Sequence, residues 1–189
     1  QVEGGIYHLC TRGVRKTAAF RDDADRRRFL DFFQTTLLRY RWELHGYCLM
    51  TNHFHLLVTT PEPNLSAGMQ YLNSCYAQWF NQRHGLEGHF VERRFYSALV
   101  ETDEYLLTLA RYIVLNPVRA GLCRSAGEWR WSSYRASIGL EPPKSLLECL
   151  LEGAANRHYF ANRLHLGGEG GIGGGKLLEG KAWDLDHHV

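Results

Sequence analysis

His53 and His55 stand two residues apart in Thr51-Asn52-His53-Phe54-His55-Leu56-Leu57-Val58, at the head of an apolar run rich in strand formers. Successive side chains of a strand alternate faces, so both imidazoles leave the same face. That is a chelating arrangement in need of a third ligand. Farther along, Tyr112 and Asn116 are four residues apart in a helix-forming stretch, which stacks them on one helical face about 5–6 Å apart at Cβ. If that helix covers the sheet face carrying the histidines, His53, His55 and the Asn116 carboxamide oxygen would hold a divalent ion with the Tyr112 hydroxyl beside it. Two imidazoles and one neutral oxygen suit Mg²⁺ or Mn²⁺ when phosphate oxygens and water complete the shell. Each part also has a plain structural reading. A histidine pair can simply stabilise a sheet, a tyrosine on an amphipathic helix packs in a core, and asparagine before proline stops helices.

The elements that would position these residues follow from periodicity. Residues 5–12 alternate and form a first strand, stopped at Gly13 and followed by a basic loop from Arg12 to Arg21. Asp22 or Asp23 caps a helix over about 24–40, with Phe29, Leu30, Phe33, Leu37 and Tyr40 as its apolar stripe. Arg26, Arg27 and Arg28 crowd its first turn, where they oppose the dipole and read as a solvated face or as phosphate contacts. Trp42 to Met50 and His53 to Thr60 are two strands joined tightly at Thr51-Asn52. A helix over 65–84 ends at Gly85, and residues 89–100 form a fourth strand with Arg93 and Arg94 midway. Thr102 caps a last helix that runs to about Asn116, where Pro117 discourages continuation.

Strand, helix, strand, strand, helix, strand is the order of a ferredoxin-like split βαβ, an α+β fold with an antiparallel sheet and helices on one face. The aromatic segment from Trp129 to Tyr134 is expected to pack back on this domain. A domain at 1–138, a short helical extension at 139–166 and a Gly-rich flexible tail at 167–189 are the expected organisation.

Charge supports a polyanionic partner. Residues 1–135 carry 17 Lys/Arg against 13 Asp/Glu, residues 136–189 carry 5 against 7, and 18 of the 22 basic residues are arginine, the side chain suited to forked phosphate contacts. Arg12, Arg15, Lys16, Arg94 and Arg119 are the candidate phosphate contacts. Five cysteines, odd in number and never spaced as C-x-x-C, fit buried thiols in a reducing compartment and exclude a zinc knuckle or disulfide framework. No apolar run reaches the roughly 18 residues of a membrane span and no signal peptide opens the chain, so a cytoplasmic location without membrane contact is expected.

The order of motifs carries a resemblance. H-x-H on a strand, then Tyr112-Ile-Val-Leu-Asn116-Pro117-Val118-Arg119-Ala120-Gly121, then Trp131-Ser-Ser-Tyr134, resembles the IS200-like Y1 transposases of the HUH superfamily, and within them the REP-associated tyrosine transposases. The similarity spans about residues 4–138 and includes Gly4-Gly5-Ile6-Tyr7-His8 and Met50-Thr-Asn-His-Phe-His-Leu-Leu57.

The resemblance implies a metal-dependent single-strand DNA endonuclease and strand transferase acting on hairpin or repeat DNA. By it, His53 and His55 become metal ligands, Asn116 completes the site, and Tyr112 is the nucleophile that forms a 5′-phosphotyrosine. A phenol of pKa about 10 is ionised roughly one part in a thousand at pH 7, a handicap of about 4 kcal/mol. Lewis-acid activation of the phosphate is of the size to offset it. Tyr105 lies on nearly the same helical face but lacks an asparagine one turn on, so it reads as packing. Mobile relatives commonly dimerise and domesticated ones act as monomers, which leaves both states open here. A non-catalytic single-stranded nucleic-acid-binding module on the same fold and a general metal-dependent phosphodiesterase are the competing readings.

Overall fold

Alternation along β3 divides the molecule into two cores. In the computed structural model, which describes residues 1–91 and 94–140, β3 is His53–Thr60 and lies inside a four-stranded antiparallel sheet. Phe54, Leu56 and Val58 point to one face, and His53, His55 and Leu57 to the other. β1 (Gly5–Arg12) and β2 (Glu43–Leu49) flank β3, β4 (Tyr96–Leu99) adds to β1, and the order is β2-β3-β1-β4. This is the ferredoxin-like order expected from the sequence.

The first face is covered by α1 (Asp23–Tyr40) and α2 (Leu65–His84). Phe29, Phe33, Met69, Leu72 and Tyr76 meet the sheet there, and the Phe29 and Phe54 rings lie 4.5 Å apart. Each such side chain contributes about 1.5–3 kcal/mol on burial. α1 begins where Asp22 Oδ1 accepts from the Ala24 and Asp25 backbone N–H groups at 2.9 and 3.0 Å. α2 ends at Gly85, which adopts φ 62° in the left-handed region. The two helices are tied at one end by buried Asp25, which accepts from the Arg21 backbone N–H at 2.7 Å, from His84 Nε2 at 2.9 Å and from the Arg83 guanidinium. Within α2, Gly68 leaves room for Trp42, since a Cβ there would lie 2.2 Å from its ring.

The expectation that the helices share one face holds for α1 and α2 and is corrected for α3 (Asp103–Arg119). Leu106, Leu109, Ala110 and Ile113 of α3 pack on Cys48, Met50 and Leu57, the opposite face. Both faces of β3 are apolar over Leu56–Val58, so each demands a cover.

Three further expectations are corrected. The fourth strand spans only Tyr96–Leu99, because Phe90 turns into the first core against Tyr76 and Phe80, and Val91 makes an isolated bridge to Gly13. α3 continues through Pro117 to Arg119. Among the first-turn arginines, Arg26 is buried beneath the Phe20, Trp129 and Trp131 rings at 5.6–5.9 Å rather than solvated.

The aromatic segment does pack back: Trp129 Nε1 donates to the Leu49 carbonyl at 3.1 Å, and the Leu49 N–H donates to the Trp131 carbonyl at 2.9 Å. A short α4 (Tyr134–Ser137) follows. Arg93, the Gly-rich tail and, except for Gly139 and Leu140, the short helical extension at 139–166 lie outside the described residues.

Candidate active site between the sheet and the third helix

Antiparallel pairing of β1 with β3 sets Cys10 opposite His55 and Arg12 opposite His53, so the second face carries a row of polar groups from both strands. The His53 and His55 rings meet edge to face at 4.9 Å between centroids. α3 lies over them, and the Tyr112 ring stands 5.9 Å from that of His55 at 82°. His53, His55 and Tyr112 thus come together from a strand and a helix 57 residues apart in the chain.

His55 is buried and His53 half-buried. His55 Nδ1 lies 3.0 Å from Nε2 of His8 on β1, whereas its Nε2 is buried without a hydrogen-bond partner. Burial, with lesser contributions from His53, His8 and Arg12, holds the His55 ring well below its ordinary pKa, and burial takes His8 down to about 4. Both rings are therefore neutral near pH 7, the state a metal requires of imidazole. His53 Nδ1 is 2.7 Å from Asn52 Oδ1. A buried imidazole nitrogen that finds no partner in the protein, next to a second imidazole, fits a metal ligand. Among the described residues no group of three His, Cys, Asp or Glu could hold an ion, so the remaining ligands would be neutral or come from substrate and solvent.

Asn116 lies one turn beyond Tyr112 on α3, half-buried, and its position explains how the helix passes Pro117. Proline has no N–H to give to the carbonyl four residues back, that of Ile113. Asn116 Nδ2 donates to the Tyr112 carbonyl at 3.0 Å and to the Ile113 carbonyl at 3.5 Å, standing in for the missing donor. Carbonyls only accept, so the amino end of the carboxamide is committed to the helix and Oδ1 is the end left to act as an oxygen ligand.

The candidate phosphate contacts separate in space. An open cleft of about 520 Å³ beside His53 is lined by Arg12, Lys16, Asn52, Met50, Ala120 and Leu122 among others. Arg12 is buried at its wall. Lys16 and Arg15 are exposed on a 3-10 turn, both with positive φ, 58° and 50°. The Arg119 guanidinium sits over the Tyr112 ring at 5.0 Å. Arg94 is exposed just before β4. Tyr105 packs partly buried against the second core, and burial raises its pKa. Sequence reasoning assigned no role to His8 or Asn52, whose side chains contact His55 and His53. For His8 the available signal was its even-numbered place on β1, level with Cys10 and Arg12.

The sequence profile of the IS200-like transposases matches residues 1–116. The chain belongs to that family. It is an enzyme of DNA transposition, similar to the REP-associated tyrosine transposases. A Haemophilus influenzae protein assigned by name to that group is 25% identical over 150 residues, covering 74% of this chain and 85% of that one. The solved structure of a REP-associated tyrosine transposase bound to a REP hairpin superposes with a TM-score of 0.62 at 18% identity, over 75% of this chain and 84% of that one. This second likeness establishes the shared fold. Among the described residues no helix is long and apolar enough to cross a membrane.

Proposed function

We propose that this transposase is a metal-dependent single-strand DNA endonuclease and strand transferase that works through a covalent bond to Tyr112. The observation that carries the reading is the approach of the Tyr112 ring to within 5.9 Å of a buried His55 whose Nε2 has no protein partner. A divalent ion, Mg²⁺ or Mn²⁺, held by His53, His55 and Asn116 would supply Lewis-acid polarisation of the scissile phosphate, worth several kcal/mol. The Tyr112 oxygen attacks phosphorus and gives its proton to solvent. The bond to the 3′ oxygen breaks and that oxygen takes a proton from solvent, leaving a 5′-phosphotyrosine and a free 3′-hydroxyl, and a DNA 3′-hydroxyl reverses the step to rejoin. The Arg119 guanidinium stacks over the Tyr112 ring at 5.0 Å and would bring a positive charge toward a phosphate attacked by that tyrosine.

Arg12 and Lys16 hold the backbone of the strand in the cleft, and exposed Arg15 and Arg94 extend the basic surface. The substrate is hairpin or repeat DNA presenting a single-stranded segment. The REP hairpin in the related structure supports this choice.

The test is Mn²⁺-dependent cleavage of labelled hairpin oligonucleotides followed on denaturing protein gels. The parent and Tyr105→Phe are expected to form a covalent adduct and Tyr112→Phe to form none. The reverse result would exchange the two tyrosines. Cleavage without any adduct would indicate a general phosphodiesterase, and affinity without cleavage a binding module on the same fold.

A further inference from the structure

The two histidines of the pair are gripped from behind by different groups in a similar way. Asn52 is oriented by its Nδ2, which donates to the Lys16 carbonyl at 3.4 Å, so Oδ1 is the atom that meets His53 Nδ1 at 2.7 Å. A carboxamide oxygen only accepts, and neutral His53 therefore carries its proton on Nδ1 with the lone pair on Nε2. His55 has the corresponding contact from β1, where its Nδ1 lies 3.0 Å from His8 Nε2 and the rings stack at 5.2 Å and 19°. One of these two nitrogens donates. The two arrangements each bury one imidazole N–H, on His55 Nε2 if His8 donates or on His8 Nδ1 if His55 donates, and only the second leaves His55 Nε2 the lone pair that a metal requires. With His55 Nδ1 as the donor, its Nε2 keeps a lone pair, in the same sense as His53 alongside it.

We infer that His8 is a positioning residue that holds His55 as the Nδ1–H tautomer and thereby presents His55 Nε2 as a metal ligand, while Asn52 does the same for His53. The inference rests on the metal-centre reading above. Ligating histidines ordinarily give their second N–H to a carboxylate, a carbonyl or water. Here a buried imidazole on the neighbouring strand takes that place, with β1–β3 register putting it on the same face, two residues from Cys10, the partner of His55. The stacked ring restricts rotation of His55 as well as its proton, and neither restraint is visible without the register.

Mn²⁺ binding to the full chain, followed by electron paramagnetic resonance, tests the role without reference to activity. His8→Leu removes the acceptor and is expected to weaken Mn²⁺ binding by about 10–100-fold. His8→Gln, whose Oε1 reaches near the place of Nε2 and accepts the same hydrogen bond, is expected to bind within a few-fold of the parent. Imidazole ¹⁵N spectra of the metal-free parent near pH 7.5 are expected to place the His55 proton on Nδ1. Unchanged Mn²⁺ affinity in His8→Leu, or the proton on Nε2, overturns the inference. If His8→Leu does not fold, the tautomer and the His8→Gln affinity decide the matter in its place. A parent protein that binds no Mn²⁺ while keeping the Nδ1 proton would instead overturn the metal-centre reading, so the two failures are distinct.

Discussion

Removing the Asn116 side chain should separate its observed duty in the helix from the ligand duty proposed for it. In Asn116→Ala the Ile113 carbonyl loses its substitute donor, since Pro117 offers none, and the Tyr112 carbonyl loses a second donor. One bond is of good length at 3.0 Å and the other is at the limit at 3.5 Å. The expected loss is therefore that of a single hydrogen bond, about 1 kcal/mol. For a domain of this size that is a fall in Tm of about 3 °C. The ligand duty predicts something larger and different in kind, a rise of about tenfold or more in the Mn²⁺ concentration for half-maximal cleavage of single-stranded DNA. The double variant Asn116→Ala/Pro117→Ala returns a backbone N–H to Ile113, so its Tm should recover while its metal requirement stays high. Calorimetry beside Mn²⁺-titrated cleavage reads both quantities. If Asn116→Ala lowers Tm and leaves the Mn²⁺ dependence unchanged, Asn116 serves only the helix and the ligand assignment is wrong.

Other perturbations give distinct signatures. Lys16→Ala should flatten the slope of log affinity against log salt for single-stranded DNA by about 0.7, the value for one lost phosphate contact, whereas Arg28→Ala, whose side chain pairs with Asp31 at 3.7 Å, should leave the slope unchanged. Gly68→Ala would drive a Cβ to 2.2 Å from the Trp42 ring, and chemical denaturation should show a loss of about 1–3 kcal/mol. Acid should destabilise through His45, whose pKa burial lowers to about 4. Above its unfolded value near 6.5 both states are neutral and nothing changes, but between 6.5 and 4 only the unfolded chain takes up the proton. Stability is then lost as pH falls, by up to about 2 kcal/mol at pH 5, and His45→Gln should remove that part of the urea-midpoint dependence.

The parts of the fold that were legible in the sequence are those set by local pattern. The apolar recurrence from Met69 to Phe80 and the glycine at 85 delimit α2, and the alternation after Asn52 delimits β3. The fourth strand was overextended because Phe90 and Val91 carry strand propensity yet are claimed by the first core, a tertiary effect that propensity does not contain. The end of α3 was placed too early because proline's missing donor is replaced by a side chain at the preceding position. The histidine pair, Tyr112 and Asn116 could be singled out from spacing, but whether α3 covers their face could only be left as a condition, and the packing of Ile113 and Leu109 on Leu57 now meets it. His8 escaped notice because its partnership with His55 depends on strand register. Arg26 was misjudged because the Trp129 and Trp131 rings that bury it come from a hundred residues away.

The Trp129–Ser133 segment also bears on how this sheet avoids its own copies. A four-stranded sheet has two outer strands whose unpaired amides invite further strands, and exposed edges of that kind seed aggregation. On β2 the N–H of Leu49 is taken by the Trp131 carbonyl, and the N–H of Tyr47 by the Ser133 hydroxyl at 3.0 Å, while Ser132 bridges Cys48. From Tyr47 to Leu49 that edge is sealed by the same chain. The other edge is β4, only four residues long, with Ser97 and Leu99 exposed along it. Among the described residues, the Tyr47–Leu49 end of β2 is thus closed to a further strand, and β4 offers an edge of only four residues.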